Sequence, residues 1–204
     1  MKLFHIHKPN KYDELYVEGN TFVVGLENNI LRNSFLKNSC TYIDRVEDDN
    51  GRNIKYHKSL TDLVDLDLFD KITEQEKIEY FDLIKNYLRN SMIDFREIIL
   101  EEIRFKCYNN LPSRYKCMWL TDEDGLETWA KYINASDDSK VFEVDIDGNL
   151  FVSRDSLLPK SYVTHEIMYK EGFHYWNPTK KDLEDASDRE YLFEGNVKLL
   201  RRVK

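Results

Sequence analysis

The chain has 204 residues, with Lys and Arg totalling 30, Asp and Glu totalling 38, and a formal net charge of −8. That length fits one domain, or one domain with a large insertion. The 41% hydrophobic content supplies a core, while seven Gly and four Pro leave no room for a long flexible linker, so disorder is excluded. The acidic balance argues against general nucleic-acid binding, because counterion release needs clustered Lys and Arg.

Three cysteines, Cys40, Cys107 and Cys117, form no Cys-x-x-Cys pair and are odd in number. A disulfide framework is therefore not expected, which points to a reducing, cytoplasmic setting. The N-terminal stretch Met1 to Lys8 is too short and polar for a signal peptide, and no apolar run reaches bilayer length, so no membrane partner is expected.

Lys2 to His7 reads as a strand with Leu3, His5 and His7 on one face. His5 and His7 invite a metal reading, but a third ligand at a recognised spacing is missing, and partly exposed structural histidines explain the pair as well. Pro9 ends the strand. Thr21 to Gly25 reads as a second strand and Cys40 to Ile43 as a short third, followed by a polar loop with Asn50-Gly51 at a turn. Ser59 to Phe69 reads as a helix start whose Asp62, Asp65, Asp67 and Asp70 lack the spacing of a calcium loop.

Residues 73–110 carry the clearest helical pattern. Thr73-Glu74-Gln75-Glu76 is a capping box, followed by an apolar stripe of Ile78, Phe81, Ile84 and Leu88. Asn90-Ser91 interrupts it, and Met92, Phe95, Ile99 and Ile103 form a second stripe. The expected structure is an antiparallel helical hairpin packed on the sheet.

Tyr115 to Thr121 reads as a strand, and Thr121 or Asp122 caps a helix bearing Leu126, Trp129, Ala130 and Ile133. Lys140 to Ile146 alternates as a strand, and Asp147-Gly148 reads as a hairpin turn into Asn149 to Val152. Ser161 to Lys170 reads as a helix and Phe173 to Pro178 as an aromatic loop. Arg189 to Arg201 reads as two strands around a Gly195 turn. Glu190 heads an apolar run on a strand expected inside the sheet, where an unpaired carboxylate is expensive.

Four pieces, in order, carry a resemblance. They are Leu3-Phe4-His5-Ile6 with the later Val17-Glu18-Gly19; the strand, capped turn and helix ending Trp129-Ala130-Lys131-Tyr132; the middle strands Val141 to Ile146 and Leu150-Phe151 with the later Asp155; and Glu190-Tyr191-Leu192-Phe193 followed by Val197-Lys198-Leu199-Leu200. Together they resemble the ADP-ribosyltransferase fold of the His-Tyr-Glu type, including bacterial families of unknown function. The resemblance covers about half the chain. It implies an α+β protein with an ADP-ribosyltransferase-like split β-sheet core, one domain over residues 1–204, and a helical insertion at about 59–110. It also implies NAD as substrate, with Glu190 as the catalytic carboxylate, His5 on the adenosine ribose and Trp119 stacked on nicotinamide. Two departures stand out. The family's Gly after the first histidine is Ile6 here, and Trp119 replaces a tyrosine.

Trp119 is equally a core aromatic, and Arg114 is either a bidentate pyrophosphate ligand or a surface residue. The function expected from the resemblance is ADP-ribosyl transfer from NAD to an unknown acceptor: a protein, a nucleic acid or a small molecule. The alternative is a non-catalytic nucleotide- or ADP-ribose-binding or protein-interaction module of the same fold.

Overall fold

A computed structural model describes residues 1–10, 13–27, 41–47, 53–59, 73–160 and 163–203. The expected helix start at Ser59 to Phe69 with its aspartates, the Asn50-Gly51 turn and Cys40 lie outside these residues, apart from Ser59 itself, which ends a strand.

The architecture is α+β. In chain order it comprises β1 (Leu3–His7), β2 (Thr21–Val24), β3 (Thr41–Glu47), β4 (Asn53–Ser59), α1 (Glu74–Cys107), β5 (Met118–Leu120), α2 (Leu126–Tyr132), β6 (Lys140–Arg154), α3 (His165–Trp176) and β7 (Arg189–Arg202). The chain divides into two compact units. One comprises Met1–Arg32 with Arg96–Lys204, and the other Asn33–Phe95.

In the second unit, β3 and β4 form an antiparallel hairpin in register from Thr41↔Ser59 to Glu47↔Asn53. The sequence reading found the start of β3 and missed β4. Residues 74–95 of α1 belong here too, and Ile78, Phe81 and Leu88 are exposed on it. The expected helical hairpin is instead one continuous helix of 34 residues. Asn90 and Ser91 weaken a helix by only tenths of a kcal/mol each, and neither removes a backbone hydrogen bond as proline would.

In the first unit, β7 is the centre of an antiparallel five-stranded sheet. One of its edges pairs with β6 along nearly its whole length. The other pairs with β2 and, farther toward its start, with β5. β1 pairs with the beginning of β6. Its outer edge then reaches the residue after β5. The Phe4 amide donates to the Thr121 carbonyl at 2.8 Å, and the Thr121 amide donates to the Phe4 carbonyl at 2.9 Å. The sheet is open except for this bridge.

Both expected turns in these strands are absent, and β6 and β7 run through them. Gly148 and Gly195 face each other across the pair. A Cβ on Gly148 would lie 2.4 Å from the Glu194 carbonyl oxygen, and one on Gly195 would lie 2.5 Å from that of Asp147. The glycines permit close passage of two backbones, the other situation besides a turn that selects this residue.

The two faces of the sheet carry separate cores. One packs Phe151, Leu192 and Cys117 against Ile99, Leu100 and Ile103 of α1 and Met168, Tyr175 and Trp176 of α3. The other holds Leu3, Met118, Leu120, Phe142, Val144, Tyr191, Phe193, Val197 and Leu199. The expected aromatic loop is thus largely the last turn of α3. Trp176 is 2% exposed, and its indole N–H donates to the Leu100 carbonyl at 2.8 Å, joining α3 to α1.

Candidate functional site

Glu190 lies second in β7, opposite Ser153 of β6. Side chains alternate along a strand, so Glu190, Leu192 and Glu194 share the face covered by α1 and α3. Its carboxylate is 2% exposed. One oxygen accepts a hydrogen bond from Arg114 Nη1 at 2.7 Å and another from the Tyr175 hydroxyl. The same Arg114 Nη1 donates to the Tyr175 oxygen, while Arg114 Nε donates to Glu97 at 2.6 Å. One guanidinium thus bridges two buried carboxylates, one from α1 and one from β7.

The turn before β5 holds Arg114 in place. Glu101 of α1 accepts from the Arg114 amide at 2.7 Å and from the Ser113 hydroxyl at 2.8 Å. Glu194 of β7 accepts from the Ser113 amide at 2.9 Å. These contacts explain a buried arginine in a short polar turn: Glu101 and Glu194 hold the backbone amides of the turn, while Glu97 and Glu190 hold the guanidinium.

Charge pairing decides the protonation states. Burial alone would push the Glu97 carboxyl upward, but Arg114 and Arg96 outweigh it and hold Glu97 below the usual carboxylate range. Burial opposes the Arg114 charge, yet Glu190 and Glu97 push its pKa well above the ordinary arginine value. Burial raises the Tyr175 phenol well above its usual value, and the Glu190 charge adds to this against the pull of Arg114. Tyr175 stays protonated as donor to Glu190. Burial also pushes the Cys117 thiol well up, keeping it out of the thiolate form that nucleophilic chemistry requires.

Trp119, on β5, pairs in register with Leu192 and so shares the Glu190 face. The Arg114 guanidinium carbon lies 5.8 Å from its ring centroid and 5.0 Å from that of Tyr175, within cation–π range. Three of the four residues singled out from sequence, Arg114, Trp119 and Glu190, therefore stand together.

His5 does not join them through its ring. Its register partner is Phe142, which belongs to the opposite core. There the His5 ring stacks on Tyr16 with centroids 5.2 Å apart, and Tyr16 stacks on His7 at 3.6 Å. His5 reaches the Trp119 backbone, with Nδ1 lying 3.0 Å from its carbonyl oxygen. A carbonyl only accepts, so Nδ1 carries the proton. Burial lowers the His5 pKa to about 4 despite that hydrogen bond, and His7 adds to the lowering. His7 is buried and faces Asp13, with 2.7 Å between Nε2 and the carboxylate. Among the described residues no group of three or more His, Cys, Asp or Glu side chains is arranged to hold a metal ion.

Sequence reasoning missed Glu97, and it noted Asp155 and Tyr175 without giving either a role in the site. Glu97 and Glu101 sit one turn apart on a helix, followed by Arg104 one turn on. This polar stripe beside the apolar one was the available signal. Tyr175 carried no signal separable from its aromatic neighbours.

A family model described as protein of unknown function (DUF2441) matches residues 3–204. The chain belongs to this family. No curated protein matches the chain significantly. The family match spans both compact units, so the buried Arg114 cluster and the β3–β4 hairpin fall within it together. No described helix is long and apolar enough to cross a membrane.

Proposed function

We propose that the chain transfers ADP-ribose from NAD to an acceptor, with an ADP-ribosyltransferase-like core organised around Glu190. The observation that carries this reading is the convergence of Glu190, Arg114 and Trp119 on one face of the sheet. Breaking the nicotinamide–ribose bond builds an oxocarbenium-like ribose, which a carboxylate stabilises. Glu190 supplies that carboxylate and a ribose contact. Trp119 offers a flat ring to nicotinamide. Arg114 holds Glu190 through its guanidinium and sits beside Trp119 as a donor for pyrophosphate. His5 acts from the other face, through the Trp119 backbone. Because Glu190 is buried, the ribose enters only as the Tyr175 and Arg114 contacts part.

A second reading is favoured by that same burial: a non-catalytic nucleotide- or ADP-ribose-binding or protein-interaction module. In it the Arg114 cluster is a structural clamp joining α1 to β7.

Nicotinamide release measured alongside NAD-induced melting shifts separates the two. The transfer reading expects a shift in both wild type and Glu190→Gln, with release in wild type only. One catalytic electrostatic group is worth about 10²–10³ in rate. A shift without release in wild type supports the binding module, and no shift with NAD or ADP-ribose removes both ligand readings.

A further inference from the structure

We propose that Asp155 is the general base of the Glu190 site, taking the proton from the acceptor nucleophile while Glu190 holds the ribose. The proposal rests on the transfer reading above.

The strand register places Asp155. Ser153 lies opposite Glu190 and Arg154 opposite Arg189, and the Asp155 amide then donates to the Asp188 carbonyl at 3.0 Å. Asp155 begins a short 3-10 turn, Asp155–Leu157, two residues beyond Ser153, with Arg154 extended between them. It therefore falls on the Ser153 side, the face that bears Glu190.

The other acids around it are all engaged. Glu97 is held by Arg114 and Arg96, and Glu190 by Arg114 and Tyr175. Asp188 is held by Arg154 and the Ser156 amide, and Asp185 by Arg154 at 2.9 Å. Among the described residues, the Asp155 carboxylate makes no side-chain hydrogen bond. It is also only half-buried, whereas Glu97 and Glu190 are sealed.

The charged groups facing Asp155 tune it to this task. Burial, then the Glu190 charge, raise its pKa to about 6; Arg96 of α1 and Arg114 of the turn before β5 pull it down, and Asp188 ahead of β7 adds to the rise. A base is most effective with a pKa near working pH, and the two carboxyls then divide the work, Glu190 on the ribose and Asp155 as proton acceptor. In the step itself, the acceptor's X–H oxygen, nitrogen or sulfur forms a bond to the ribose carbon. The glycosidic C–N bond breaks, its electron pair leaves with nicotinamide, and the X–H proton passes to Asp155.

The test uses the full chain with water as acceptor, following nicotinamide release from NAD against pH, together with a carbon-detected carboxyl titration by NMR. The expected Asp155 midpoint is about 6 in wild type, lower in Glu190→Gln. Asp155→Asn is expected to melt close to wild type, slow release about 10²-fold and abolish the acid limb of the pH profile, with Asp155→Glu restoring part of both. Release and acid limb unchanged in Asp155→Asn, or an Asp155 titrating as an ordinary aspartate, overturns the assignment while leaving transfer intact. No release from wild type overturns transfer, and this proposal with it.

Discussion

Gly148 lies directly opposite Gly195 at the middle of the central strand pair, and both have positive φ, +155° and +141°. Backbone conformations of this kind are essentially reserved to glycine. Gly195→Ala is expected to destabilise the protein by about 1–3 kcal/mol from backbone strain, with the Asp147 carbonyl contact adding to it. At roughly 2–4 °C per kcal/mol for a chain of this size, a melting temperature unchanged by Gly195→Ala would refute the close passage.

Arg114 compensates two buried carboxylates, so its loss strands Glu190 and leaves Glu97 with Arg96 alone. Removing one partner of a buried ion pair typically costs about 3–5 kcal/mol. Arg114→Met is expected to fall at or above that range in urea unfolding. Glu190→Gln should be much milder, because glutamine keeps an acceptor for Tyr175 and Arg114 and leaves the Arg114–Glu97 pair in place. Equal losses for the two variants would contradict a cluster centred on the arginine.

The half-buried His5 ring makes stability depend on acidity. Its folded pKa of about 4 lies below the ordinary 6.5. Between those values the unfolded chain binds a proton that the folded chain refuses, so stability is full above pH 6.5 and declines as pH falls toward 4. Asp155, with a raised folded pKa, works in the opposite sense below about pH 6. His5→Gln keeps a donor for the Trp119 carbonyl but cannot titrate. Denaturant midpoints measured from pH 7 to 4 should therefore fall less steeply in His5→Gln than in wild type. Parallel curves would mean that His5 titrates normally.

Trp119 is half-buried and borders Arg114. If nicotinamide stacks there, NAD quenches the part of the tryptophan emission that disappears in Trp119→Phe, and Trp119→Ala weakens NAD binding by about 1 kcal/mol, the scale of an aromatic pair. Unaltered affinity in a folded Trp119→Ala protein would remove Trp119 from the proposed site.

The places where sequence and structure part have a common cause. Strand identity for β1, β2, β5, β6 and β7 was legible from alternation, and so was the interior position of Glu190, because a carboxylate heading an apolar strand demands a partner. Gly148 and Gly195 misled because a glycine in a turn and a glycine where two strands cross need the same freedom of φ. Only the distant partner tells them apart. The face that His5 shares with Phe142 rather than with Trp119 depends on register between strands far apart in sequence, and one residue of slip exchanges the faces. Arg114 and Glu190, separated by 76 positions, were each noticed alone, but no local pattern joins them.

The pairing of β1 with β6 also sets an order of events during synthesis. Leu3 must wait for Val144 before it can enter the sheet, an interval of roughly 7–28 s at about 5–20 residues per second. Throughout it, β1 has its neighbour at Thr121 only late and its partner in β6 later still, so an apolar strand edge stands ready to pair with any other chain nearby. Yield of the native protein should then respond to translation speed and to nascent-chain crowding more than its final stability would suggest.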